Sequence, residues 1–355
     1  MNIKKSIFSV FTAILVLLAA ACSNSSGADS STNLADNGTS ADNSTAETGK
    51  LKVITTIFPP YNFVQEITDG NVEADMLLPP GAESHSFEPT PQDIIRIQEC
   101  DVFIYGGGES DGGVKTILNS MNTGNMKILA MMDMVDTVHE EIVEGMEHDD
   151  HDHDDHHEDE DDHDGHHEED EHDEHHEEEA EYDEHVWTSP INAKKIVSAI
   201  TETVCELDSE NGDIYRKNSE SYLAKLDELD AEFKEIVSSA KHKTMIFGDR
   251  FPFRYFADAY GLKYYAAFPG CSTDTEPSAA TVAFLMDIIE ENELPAVFHI
   301  EFSNGRMADS IAEGTGAKKL LFHSCHNVSN EDIAAGANYI DLMKQNAVNL
   351  REALN

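Results

Sequence analysis

Histidine, carboxylate and cysteine side chains recur in this sequence in two different settings, and both suit divalent-metal chemistry. The first is the segment 147–179, whose 33 residues are 21 acids, 11 histidines and one glycine. Its histidines are His148, His151, His153, His156, His157, His163, His166, His167, His172, His175 and His176. Imidazole is a borderline ligand suited to zinc, copper and nickel, and carboxylates add oxygen donors. The spacing varies too much for one fixed geometry, so the segment reads as a loop that collects metal in many transient sets. A loop of this kind cannot select among divalent ions, because affinity would follow the intrinsic metal order. Selectivity needs a second, ordered site.

The second setting supplies candidates for it, as single residues just beyond apolar runs. They are His85 in GAESHSFEPTPQD, His185 in DEHVWTSP, Asp249 in FGDRFPF, Cys271 in FPGCSTDTEPS, Glu301 in FHIEFSNG, and His323, Cys325 and His326 in FHSCHNVS. Three or four nitrogen, oxygen or sulfur donors at about 2.0–2.3 Å are what zinc takes. The chain has no HExxH and no evident general base beside an open ligand set, so binding without turnover is expected rather than an enzyme.

The elements that must position these residues follow from periodicity. LKVITTIF (51–58) and VEADMLLPP (72–80) read as strands, with a helix over PYNFVQEITDG between them. PQDIIRIQEC, DVFIYGGG, a helix near 113–120 and MKILAMMD continue the alternation, which predicts a parallel sheet covered by helices. The stretch 209–242 has no proline and places Tyr222, Leu223, Leu226, Leu229, Phe233 and Ile236 at helical intervals, so it reads as one long helix. A second alternating series follows: TMIFGD, RYFADAYG, KYYAAFPG, a helix over 277–291, AVFHIE, a helix over 306–314, KKLLFHS and a last helix from about 334. The predicted fold class is α/β: two small lobes with parallel sheets flanked by helices, joined by one long rigid helix. The expected divisions are an N-terminal lobe over 51–208 that contains the loop 147–179, a linking helix over 209–242 and a C-terminal lobe over 243–355. In open α/β sheets ligands sit beyond the carboxyl ends of the strands, where the second set of residues lies.

The N-terminus bounds the setting. Lys4 and Lys5 precede an apolar run from Ile7 to Ala21, too short for a comfortable membrane span, so 1–21 reads as a signal peptide. Ala19, Ala20 and Ala21 directly before Cys22 resemble a bacterial lipobox, which makes Cys22 a lipidation site, and 22–50 a flexible tether nearly devoid of large apolar side chains. The formal charge is −47; the acids of 147–179 carry 21 of those charges, and −26 stays on everything else. That balance argues against nucleic acid, whose phosphates call for Lys and Arg. Cys100, Cys205, Cys271 and Cys325 then form an even set in an oxidising compartment. A Cys271–Cys325 disulfide is the favoured pairing, with Cys325 as a thiolate ligand the rival; Cys100 and Cys205 read as buried apolar residues or a second bridge.

TTIFPPYNFVQEI, GAESHSFEPTPQD, DEHVW followed by SP, RYFADAYGL, STDTEPS and YIDLMKQNAVNLREAL together resemble the zinc- and manganese-binding lipoproteins that serve as substrate-binding proteins of metal-uptake ABC transporters. The resemblance covers essentially the whole mature body, and the histidine-acid loop before DEHVW resembles the zinc branch. It implies metal held between two lobes, with His85 and His185 at the first two ligand positions. The third position falls on Arg250, and a guanidinium cannot ligate; Asp249, one residue away, is the candidate substitute. The fourth falls near Ser324, which makes His326 and His323 candidates, with Glu301 behind them. Also implied are Zn2+ as transported ligand with Mn2+ as an alternative, an ABC permease as partner, lipid attachment to the outer face of the cell membrane, and a monomer. A surface zinc reservoir or adhesin-like lipoprotein is the competing reading.

Overall fold

Two four-stranded parallel sheets with one shared strand order form the frame. The computed structural model describes residues 49–84, 87–108, 111–146, 181–272 and 277–355. The first sheet comprises β1 (Lys52–Thr55), β2 (Glu73–Met76), β3 (Val102–Tyr105) and β4 (Lys127–Ala130), in the order β2-β1-β3-β4. The second comprises β5 (Thr244–Phe251), β6 (Lys263–Pro269), β7 (Ala296–His299) and β8 (Lys318–Leu321), in the order β6-β5-β7-β8. Both orders reverse direction beside their first strand, at β1/β3 and at β5/β7. That reversal opens a crevice at the carboxyl ends of the strands, because the connections on either side leave toward opposite faces.

Local sequence explains the connections. Helix α1 (Phe58–Thr68) carries proline in its first turn, where a missing N–H costs nothing, and ends where Asp69 and Gly70 both take positive φ. Helix α2 (Pro91–Gln98) starts at a capping box in which Thr90 and Asp93 satisfy each other's backbone N–H. Helix α3 (Gly112–Ser120) leads into β4. In the second series α6 (Arg254–Tyr260), α7 (Ala279–Glu291) and α8 (Arg306–Thr315) connect the strands.

Two helices, rather than one, link the sheets. Helix α4 (Pro190–Leu207) and helix α5 (Gly212–Ser239) are joined by four residues and pack along each other, as a connection that short requires. The long helix expected over 209–242 is α5, shortened at both ends. The helix expected from about 334 is instead a pair, α9 (Asn330–Ala334) and α10 (Tyr339–Ala353), broken where Gly336 takes φ of 78°. Helix α10 covers β7 and β8 and reaches beyond the second sheet: it also packs on α5, and Tyr339 N–H donates to Asn62 of α1 at 2.9 Å. One apolar core therefore runs from Val53, Phe63 and Ile104 through Tyr222, Leu226 and Phe233 to Phe247, Phe256 and Phe322. No helix among the described residues is long and apolar enough to cross a membrane.

Strand β5 contains a bulge that matters below. Its register with β6 shifts between Phe247 and Arg250, so the extra residue re-aims the side chains that follow. Gly248 lies in the bulge against α8, where a Cβ would stand 2.8 Å from the Ala308 Cα. The contact is backbone and cannot yield without moving the helix. Gly248→Ala should destabilise the fold by about 1–3 kcal/mol, read from the urea midpoint of the metal-free protein; an unchanged midpoint would show that α8 is not pressed onto the bulge.

Candidate metal centre

His185 lies between the sheets, just ahead of a short 3₁₀ turn, Val186–Thr188, that leads into α4. It is fully buried, and Asp183 holds it twice. The His185 backbone N–H donates to Asp183 Oδ1 at 2.8 Å, and ring Nδ1 lies 3.2 Å from the same oxygen. Asp183 is itself fixed: its N–H donates to the Val138 carbonyl at 3.0 Å and its carbonyl accepts from the Tyr255 hydroxyl at 2.7 Å. A carboxylate behind an imidazole sets the tautomer and strengthens the other nitrogen as a donor, so Nε2 is the atom that would meet a cation. Burial opposes a charged ring, but Asp183 first, then Glu184 and Glu140, outweigh it and raise the His185 pKa above the ordinary value.

His326 comes from the loop after β8 and meets His185 edge to face, with ring centroids 5.5 Å apart. Its Nδ1 lies 3.1 Å from the Ser84 hydroxyl, which belongs to the loop after β2. Trp187 packs on both rings, at 5.5 Å from His185 and 4.8 Å from His326. The two histidines, with Ser84, Arg250, Gly270, Glu301 and Ser324, line a cavity of about 20 Å³, room for roughly one water-sized species.

The remaining sequence candidates divide. Glu301 lines the cavity, but its carboxylate accepts from Ser324 N–H at 2.7 Å, from the Ser324 hydroxyl, and from His326 N–H at 3.3 Å. It organises the loop that carries His326. His323 is not among the residues lining the cavity: its Nδ1 accepts from Cys325 N–H at 2.9 Å and lies 3.5 Å from Glu301 Oε1, and its backbone is tied to Asn346. Asp249 is turned by the β5 bulge toward its own surroundings, where it accepts from Arg250 N–H at 2.9 Å and Ile300 N–H at 3.4 Å. Arg250 does project into the cavity, as its place in the family pattern implied, and its guanidinium grips Glu83 at 3.2 Å and the Ser272 carbonyl at 3.2 Å. His85, Cys22 and the eleven histidines of 147–179 lie outside the described residues.

The expected Cys271–Cys325 disulfide is not formed; both are free thiols, as are Cys100 and Cys205. Cys325 takes φ of 62° and is fully buried in the apolar core. Cys271 instead faces the first lobe, where ligand atoms of Glu184, His185 and Cys271 all lie within 4.8 Å of one another. Its N–H donates to Glu140 at 3.0 Å. Burial, then Glu184, Glu140 and Asp183, push its thiol pKa well up. Sequence reading passed over Asp183, Glu184 and Glu140, although an acid pair directly before His185 was the visible signal.

Glu140 also marks the root of the histidine-acid segment. His139 and Tyr182 form an antiparallel bridge with rings stacked 4.2 Å apart, and Glu140 N–H donates to the Glu181 carbonyl at 2.8 Å. The described residues that flank the segment, 139–140 and 181–182, are thereby joined beside Cys271 and His185. Asp183→Ala should weaken divalent-metal binding by about 10–100-fold while the fold persists, measured by competition titration; an unaltered affinity would remove Asp183 from the centre.

Comparison with known proteins identifies the family and the fold. A family model described as zinc-uptake complex component A, periplasmic (ZnuA), matches residues 53–353. The high-affinity zinc uptake system protein ZnuA of Bacillus subtilis is 34% identical over 338 residues, covering 95% of this chain and 94% of that protein. The crystal structure of the metal-dependent lipoprotein YcdH from Bacillus subtilis superposes with a TM-score of 0.68 at 31% identity, covering 86% of this chain and 99% of that one. The Zn(II)-bound ZnuA-like domain of Streptococcus pneumoniae AdcA does so with 0.66 at 25% identity, covering 86% and 99%. With matching lobes, matching sheets and a family model spanning nearly all of the described body, this chain belongs to the ZnuA family of zinc-uptake components.

Proposed function

We propose that this protein is an extracytoplasmic zinc receptor that captures Zn2+ between its lobes and hands it to an ABC permease for uptake. The observation that carries this reading is the meeting of His185 and His326, from the two sides of the interlobe crevice, in a cavity the size of one small species. Nitrogen donors suit zinc better than manganese, which prefers oxygen-rich sites. The family and the named relatives, which bear zinc in their descriptions, point the same way. His85 completes the nitrogen donors on this reading.

The segment 147–179 collects zinc and raises its concentration near the crevice, since the residues on either side of it, 139–140 and 181–182, are joined to each other close to His185. Lipidation at Cys22 holds the receptor at the outer face of the membrane, and 22–50 gives it reach toward the permease. On this reading the receptor acts as a monomer. Apolar packing continuous through both lobes and α5 favours small movements on metal release rather than wide hinge opening.

Deleting 147–179 should leave one tight zinc equivalent, and His185→Ala or His326→Ala in that background should abolish it, in competition titrations against a chelator. If the deletion alone removed all tight zinc, the protein would be a reservoir whose binding resides in the loop.

A further inference from the structure

Resting on an interlobe zinc site, we propose that Cys271 is a zinc ligand, its thiolate joining His185 and Glu184 in place of the ligand that Arg250 cannot supply. Three different donor types converge: an imidazole nitrogen, a carboxylate oxygen and a sulfur, all within 4.8 Å of one another. Bonds of about 2.0–2.3 Å to one central ion fit within that spread, and zinc takes mixed nitrogen, sulfur and oxygen sets. The donors come from opposite sides of the crevice. His185 and Glu184 precede α4, whereas Cys271 follows β6.

The surroundings fit a cation. Asp183 and Glu140 stand directly behind His185 and Cys271, at 3.2 Å from the ring and 3.0 Å from the Cys271 nitrogen. Carboxylates gathered in a buried site need a compensating positive charge. Arg250 does not provide it to the thiol, since its guanidinium is spent on Glu83 and on the Ser272 carbonyl. That last bond makes Arg250 a positioning residue: it pins the residue next to Cys271 and so fixes the loop that presents the sulfur. Cys325 offers no rival use for Cys271, because it is buried in the core with its backbone in the left-handed region.

Binding exchanges one bond for another. The Cys271 S–H bond breaks, its proton leaves to solvent, and the thiolate electron pair forms the bond to Zn2+. The consequence is selectivity. Soft thiolate ligands favour zinc over manganese, which is held by oxygen donors, so the sulfur would enforce within the crevice a choice that the histidine-acid segment cannot make.

The test uses the purified protein under reducing conditions with Co2+ as the spectroscopic probe. The segment 147–179 has no cysteine, so cobalt held there gives no thiolate-to-metal charge-transfer absorption in the near ultraviolet. The expected result is that this absorption appears in the wild-type protein, disappears in Cys271→Ser, and persists in Cys325→Ser and Cys22→Ser. Zinc affinity of Cys271→Ser should fall by more than about tenfold, its preference for zinc over manganese should narrow, and its metal-free circular dichroism should match the wild type. Absence of the band in a wild-type protein whose tight ion is lost in His185→Ala would overturn the role of Cys271 and leave the interlobe receptor intact. Tight zinc unaffected by both Cys271→Ser and His185→Ala would overturn the interlobe reading as well.

Discussion

The crevice depends on the way one indole is buried. Trp187 is 1% exposed, and its N–H donates to the Ser324 carbonyl at 2.8 Å, across from the first lobe to the second. Its own carbonyl accepts from the Tyr339 hydroxyl at 2.6 Å. A buried indole N–H must find an acceptor, and here the acceptor lies in the loop that carries His326. The segment with His185 and the segment with His326 are therefore held in register by a single side chain that also packs against both imidazoles. Further cross-links, from Asn327 to the Pro79 and Ala82 carbonyls and from Gly81 N–H to the Val328 carbonyl, fasten the loop that leads to His85 onto the same frame.

Around that frame, negative charge is gathered in the first lobe beside His185 and Cys271. Glu140, Asp183 and Glu184 surround one imidazole and one thiol, and Asp111 near Glu184 has its carboxyl pushed up to about 6, chiefly by burial. A set of carboxylates so enclosed repels itself unless something positive enters. The second lobe handles its acids differently. Glu301 is engaged by Ser324, His326 and the His323 ring, and Asp249 by the bulge of β5, so both organise their own loops. The asymmetry explains why acids at corresponding strand ends have different roles.

Much of the fold was legible in the chain. Alternating β-branched runs and helical periods gave both sheets, since most strands are apolar enough to be covered and most helices have one buried face. The pairing of α4 with α5 and the break at Gly336 were less visible, because the first arises from packing and the second from one glycine within an amphipathic stretch. Helix α10 returning to α1 and α5 could not be read at all, as period reports which face is buried and not against what.

For the centre, the sequence by itself determined the candidate donor types and their strand-end positions, with His185 and both His323 and His326 among them, because residue chemistry and spacing carry that information; the family resemblance added that Arg250 stands at a ligand position. Only the tertiary structure decided which donors meet. Cys271 was separated from Cys325 and set beside Glu184 and His185 by the lobes' mutual packing, and Asp249 was turned aside by a one-residue bulge. The physical reason is that metal coordination tests distances of a few ångström between segments far apart in the chain, and those distances are outcomes of packing around α5 and Trp187 rather than of any local pattern.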